Sequence, residues 1–453
     1  MDSAAMQWTG AVIFALAVIH TFSVSWFAKR ALKPSPHAHL WHLLSEVEAV
    51  FAIWAIALLF AMLIILGLQP TLKYVDTRNY TEPLFVVVIM IVAASKPIQL
   101  LAEALVTAIA RLLPLPEASA VLLTTLALVP LIGSFITEPA AMTVAAILLR
   151  DKFYSNQTHN RPSNQPSTRP SNKLKYAVLA VLFVNISIGG SLTAFAAPPV
   201  LMVAAKWQWD SMFMATNFGW KAAIACAINS IALILIFRKE LVQLSGGAAK
   251  NAAEYGRSAG STAAPDATTF NAATAIRIPI GITLLHVAIL TAIVFATHFP
   301  EVCIGLLFVF FGLAHAYPQY QSRLLVREAV LVGLFLAGLV ILGGLQAWWL
   351  SPLLKGLSAN SVFVGAIGLT AITDNAALTY LGSLVEGLTP EFKYALVAGA
   401  ITGGGLTVIA NAPNPAGLSI LKSQFENEEV SAGQLFLSAA LPTLVAALCF
   451  KFL

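Results

Sequence analysis

Apolar runs of about 20 residues, the length that crosses a bilayer as a helix, recur from one end of this chain to the other. A water-soluble fold has no place to bury so many. Simple candidate spans fall at 8–27, 46–67, 83–112, 218–237, 278–297, 302–317, 328–350 and 434–451, with longer apolar stretches at 118–150, 176–206, 357–388 and 391–421. Charged residues make up only 10% of the 453, against about 25% in soluble domains. The pattern predicts an all-α polytopic membrane protein. The first apolar run has no basic stretch before it, so a retained helix is expected there rather than a cleaved signal. A net charge of +5 fits basic cytoplasmic loops and does not require nucleic acid. Cys226, Cys303 and Cys449 lie far apart in apolar runs and read as small core residues.

Two of the long stretches are too long for one crossing and too short for two. They are 118–150 and 357–388, and each has a polar break at its centre: "SFITEP" (134–139) and "AITDN" (371–375). A re-entrant hairpin that turns inside the membrane solves the length problem, provided its irregular backbone is buried in protein or lines a wet cavity. Each hairpin is followed by a span interrupted by glycine: "NISIGGSLTAFAAPPVLM" within 176–206 and "AITGGGLTVIANAPNPAGLSIL" within 391–421. Gly, Pro and Asn in mid-span predict an unwound segment between two half-helices.

These features repeat. Glu138 precedes Gly189 by 51 positions and Asp374 precedes Gly403 by 29; the difference of 22 is the length of the polar insert 154–175. Residues 1–238 and 277–453 therefore read as two repeats, joined by a Gly-, Ala- and Ser-rich linker at 239–276. Basic residues orient them. Lys29, Arg30, Lys33, Arg150, Lys152, Arg161, Arg169, Lys173, Lys175, Arg238, Lys239, Lys250, Arg257, Arg277, Arg323 and Arg327 all fall on one side if the hairpins enter from opposite faces. The expectation is two inverted repeats: about ten transmembrane helices, two hairpins and two broken helices, with both termini outside a bacterial plasma membrane.

A carboxylate in mid-bilayer is costly, so it should face a cavity, a partner or an ion. Glu138 and Asp374 occupy matching places at the hairpin tips. The plain alternative is that each caps the half-helix that follows, since Thr-Glu-Pro and Thr-Asp-Asn are both N-terminal signals. Around them lie neutral oxygen donors. These are Thr137 and Thr143 in the first half, and Thr373, Asn375 and Thr379 in the second. The breaks add Gly189, Gly190, Ser191 and Thr193, then Thr402, Thr407, Asn411 and Asn414. Carboxylate, hydroxyl, amide and carbonyl oxygens suit a hard cation such as sodium. A carboxylate that binds either proton or cation supplies exchange by competition. Lys96, beside Pro97, is either a lysine snorkelling from a shorter span or an ion-pair partner of a tip acid. His39, His42 and Glu46 share one helical face at the membrane border and suit a solvated or pH-responsive surface better than a metal site. His20, His286 and His315 read as lone hydrogen-bonded side chains.

The pair "LTAITDNAAL" (369–378) followed by "ITGGGLTVIANAPNPA" (401–416) resembles the ion transporter superfamily. That group includes D-type sodium/proton antiporters, arsenite-pump membrane subunits and sodium-coupled citrate or dicarboxylate carriers. Within it the chain most resembles bacterial Na+/H+ antiporters, over nearly its whole length. The resemblance implies inverted repeats, often a homodimer, and a substrate site at Asp374, Asn375, Gly403, Gly404, Gly405, Asn411 and Asn414. The first half departs from the family pattern, with Glu138-Pro139 for an acid-amide pair and "AFAAPPV" (194–200) after the break. A single site dominated by Asp374, with Glu138 as helper, is therefore expected. Cation/proton antiport, Na+ being the transported ion and no cofactor needed, is favoured over a sodium-coupled carrier of a small anion, because acids at both tips repel an anionic substrate. The paired breaks argue against a channel or scaffold. No nucleotide-binding loop or nucleophile–base pair suggests an enzyme.

Overall fold

The computed structural model describes residues 4–154, 170–244 and 278–453, apart from Leu32, Pro34, His298 and Arg323. Residues 155–169 of the insert and most of the expected linker lie outside the described residues, as do Arg161, Arg169, Lys250, Arg257 and Arg277. The first linker residues, through Leu244, are helical. Every regular element among the described residues is a helix. Among the described residues, seven helices are long and apolar enough to span a bilayer, or eight if one bent pair counts as a span. Ile280–Phe295 and Pro300–Ala316 are apolar but shorter, at 16 and 17 residues. The chain is an all-α polytopic membrane protein.

Polar side chains start many of these helices. Ser171, Asp210, Ser358, Thr389 and Ser431 each accept a hydrogen bond from the backbone N–H three residues on, filling donors the helix leaves open. Burial then sorts the helices. In the most apolar window of Asn172–Leu192, 89% of residues are buried, whereas in Ala4–Thr21 the share is 22%, with Trp8 and Ile19 turned outward. The first is the axis of the molecule. The second faces the hydrocarbon, where apolar exposure costs nothing.

The span expected at 83–112 is not straight. Thr81–Ala93 and Lys96–Leu112 meet at 68°. Pro97 is the physical cause: it has no N–H to give the preceding turn, and its ring excludes a helical carbonyl four residues back. It sits instead in the first turn of a new helix, behind an extended Ser95.

The stretch 118–150 divides at Thr137 into Val129–Ile136 and Glu138–Leu148. Its beginning, Glu117–Leu123, packs against its end, Leu149–Tyr154. The stretch 357–388 divides at 371–374 into Ala359–Thr370 and Asn375–Ser383. Contacts between the halves are crosswise. Glu138–Leu148 packs on Asn414–Leu421, and Asn375–Ser383 packs on Pro198–Trp207. The second arm of each divided stretch thus rests on the helix that follows the other half's glycine break. The two helices before the breaks, Asn172–Gly189 and Pro390–Gly403, also touch, and Ser187 Oγ donates to Ile401 O at 2.7 Å.

Buried amides hold irregular turns. Asn185 Nδ2 donates to Leu126 O at 2.8 Å and Cys226 O at 3.2 Å, and Asn229 Nδ2 donates to Asn185 Oδ1 at 2.9 Å. Leu126 lies in a π-helical turn. Such a turn widens the helix and frees carbonyls that need another donor. The three cysteines are free and buried.

Candidate ion-binding site

The first tip is built on a strained residue. Thr137 alone joins two helices, with φ 76° and ψ 151°, a region essentially reserved for glycine. Its hydroxyl is buried without a hydrogen-bond partner. Thr137→Gly is expected to raise thermal stability by about 1 kcal/mol, the lower end of what such strain costs. A lower melting temperature in the purified variant would show that the threonine is held at no cost.

Glu138 begins the helix that follows, and Pro139 sits where a missing N–H does no harm. The Glu138 side chain is wholly buried. Oε2 accepts from Asn411 Nδ2 at 2.8 Å, and Oε1 has no hydrogen-bond partner. Gly190 makes the room: a Cβ there would lie 2.7 Å from both Cγ and Oε1 of Glu138. Ser134 fastens the tip to the break. Its Oγ donates to Gly189 O at 2.7 Å and accepts from Leu192 N at 3.0 Å. Gly189 itself abuts the Pro130 carbonyl, as Gly403 abuts that of Ile367.

The second tip is arranged differently. Asp374 Oδ1 accepts from the N–H groups of Ala376 (2.8 Å) and Ala377 (3.1 Å), so Asp374 is the N-cap of Asn375–Ser383. It is half-buried and borders an apolar cavity. Asn375 is wholly buried, and neither its Oδ1 nor its Nδ2 has a hydrogen-bond partner. Its backbone N–H donates to Ala410 O at 3.1 Å, next to Asn411. Gly404 lies against its amide, since a Cβ at 404 would come 2.8 Å from Asn375 Nδ2. Asn414 Nδ2 bonds to the carbonyls of Gly404 (2.8 Å) and Thr407 (2.9 Å), and Thr407 Oγ1 donates to Ala371 O at 2.8 Å. Those bonds tie the unwound segment to the tip.

Hydroxyls of other expected ligands donate to backbone carbonyls. Thr379 bonds to carbonyls of its own helix, Thr373 to Leu369 O, Thr143 to Pro139 O, Ser191 to Ile188 O and Thr193 to Ser134 O. The structure therefore gathers Glu138, Asn411, Asn375, Gly190 and Gly404. Buried oxygens without a hydrogen-bond partner there are Glu138 Oε1, Thr137 Oγ1, Asn375 Oδ1 and Asn411 Oδ1, with Asn414 Oδ1 and Thr402 Oγ1 near by in sequence. A carboxylate among neutral oxygens is a donor set for a small hard cation. Burying them unpaired is costly, so they are expected to serve an occupant.

The bend at Ser95 makes Lys96 the first residue of a new helix, half-buried, where the expected straight span is broken. Lys96→Ala is expected to leave cation-driven proton flux within about threefold of the wild type in proteoliposomes; a complete loss would restore it to the mechanism.

The single helical face expected for His39, His42 and Glu46 is broken: Ala38–Leu44 ends before Glu46, which precedes Val47–Leu66 in an extended conformation. His42 Nδ1 lies 3.3 Å from Glu46 Oε1, and Glu46 pairs with Arg327. His20 bonds to Leu44 O and accepts from Trp54, His286 bonds to Ile282 O and Gln321, and His315 is exposed. Sequence reading passed over Ser187, Ser134 and Asn185. Asn185 left a signal, an amide in mid-span with no proline or second acid to explain it.

A separate cavity of about 600 Å³ reaches the first break, with Ala194, Phe195 and Leu201 on its wall and Glu82 and Asp210 beside them. No curated protein matches the chain. Across residues 5–453, however, this arrangement of buried acid, buried amides and broken helices sits in a sequence that matches the family described as "Putative Na+/H+ antiporter", and the chain belongs to that family.

Proposed function

We infer that the chain, as a member of this family, is a transporter rather than an enzyme, with Na+ and H+ as the ions the family description names. We propose that it exchanges Na+ for H+ by alternating access, with Glu138 as the carboxylate for which the two ions compete. One observation carries the reading. Glu138 is wholly buried, with one oxygen held by Asn411 from the other half and the other oxygen without a hydrogen-bond partner. An ionised carboxylate so placed needs a cation, and a vacated one needs a proton. Thr137, Asn375 and Asn411 supply neutral oxygens to the dehydrated ion. Asp374 then acts first as a helix cap and second as a nearby negative charge.

In this reading 1–238 and 277–453 are inverted repeats, and 118–150 and 357–388 are re-entrant hairpins. Support comes from the contact between the ends of the first stretch and from the crosswise packing of each second arm on the opposite half. Such contacts give the halves surfaces on which to rock about a fixed site.

The test is ion flux in proteoliposomes with a pH dye inside. External sodium is expected to raise internal pH, with lithium and potassium pulses ranking selectivity. Sodium uptake that requires citrate or succinate and moves no protons would replace antiport with anion symport.

A further inference from the structure

Asp374 also faces a cavity that the ion site does not use. It encloses about 190 Å³ and is walled by Phe14, Val18, Phe51, Phe335 and Leu378, with Asp374 as its one charged group. Three of the rings form an edge-to-face chain: Phe14 and Phe51 lie 6.3 Å apart, Phe51 and Phe335 5.1 Å. Leu369 and Ile372 on its border are about half exposed, at 49% and 51%, on a surface that faces hydrocarbon in a membrane helix. The cap leaves the carboxylate anchored, because two backbone N–H groups hold Oδ1.

We infer that this cavity is a binding site for a small lipophilic ammonium ion. The chemistry selects the ligand. A fixed carboxylate on an apolar wall attracts a cation and repels an anion. For a hydrated metal ion the only other side-chain oxygens on the lining are the hydroxyls of Thr21 and Thr373, both already donating to carbonyls three or four residues back, whereas an alkyl or aryl body gains by burial against the phenylalanines. Ring faces add a cation–π attraction. The volume holds about six water-sized groups, the size of a phenyl ring, with the ammonium at Asp374. The border residues give such an amphiphile a route from the bilayer.

Benzylammonium is the probe, and its neutral and anionic counterparts, benzyl alcohol and benzoate, are the controls. Binding is measured on the purified full-length protein in detergent by calorimetric titration, without any ion gradient, so the outcome does not depend on antiport. Benzylammonium is expected to bind saturably and at least tenfold more tightly than either control. Asp374→Asn keeps a capping side chain and should weaken binding at least tenfold. Val18→Trp fills the cavity and should abolish binding while sodium/proton exchange persists. The inference is overturned if benzylammonium does not bind saturably, if benzyl alcohol binds equally well, or if folded Asp374→Asn protein binds as the wild type does. If Val18→Trp does not fold, the charge comparison with Asp374→Asn decides.

Discussion

Glu138→Gln is expected to bring sodium-dependent proton flux down to the level of protein-free liposomes, while the protein still inserts and elutes as a folded species. Glutamine has nearly the shape of glutamate, and its carbonyl oxygen can still accept from Asn411 Nδ2, the bond that Glu138 Oε2 makes at 2.8 Å. What it loses is the charge and the ability to take up and release a proton. The loss should therefore appear in transport and not in stability. Asp374→Asn is the matched control. Asparagine caps a helix about as well as aspartate, so the Asn375–Ser383 helix keeps its start. Exchange is expected to survive with altered sodium affinity if, as proposed, Asp374 adds negative charge near Glu138 without binding the ion. Glu138→Gln with normal flux and Asp374→Asn with none would move the ion site to the second tip.

The second large effect is structural. Gly405→Ala is expected to cost about 3 kcal/mol, the upper part of the usual range for forcing atoms into a packed core. A Cβ at 405 would lie 2.3 Å from Val184 Cα and 2.4 Å from Val184 N. Those are backbone atoms of the most buried helix, so no side chain can swing aside. Gly433→Ala is the control, because nothing lies within 4 Å of a Cβ there. Thermal denaturation followed by size-exclusion chromatography should show a large fall for the first and none for the second. Equal melting curves would mean that the broken segment is free to shift away from Val184.

The breaks were legible because they are local. Thr137 with Pro139, the glycines at 189–190 and 403–405, and the polar run at 371–375 announce themselves against apolar neighbours. The structure interrupts its helices at those places. The bend near Ser95 carried a local signal too, in Pro97. The ranking of the two acids was not local. Both are capping residues by sequence, and both follow a threonine. Only one is wholly buried, and the difference depends on Asn411 crossing from a segment 273 positions away. No periodicity or spacing encodes which of two similar tips receives that amide. Likewise, Thr379, Ser191 and Thr193 have the right chemistry for a ligand. Whether a buried hydroxyl bonds to its own turn or points at an ion depends on geometry a few tenths of an ångström fine.

That amide has a consequence for how the molecule is made. The ribosome finishes Glu138 long before it reaches Asn411, 273 residues later. At cellular elongation speeds the interval is roughly 15 to 55 s. Throughout it, the nascent first half carries an acid whose partner does not yet exist. A bare carboxylate in hydrocarbon is costly, so over that interval the side chain is expected to stay protonated or in contact with water.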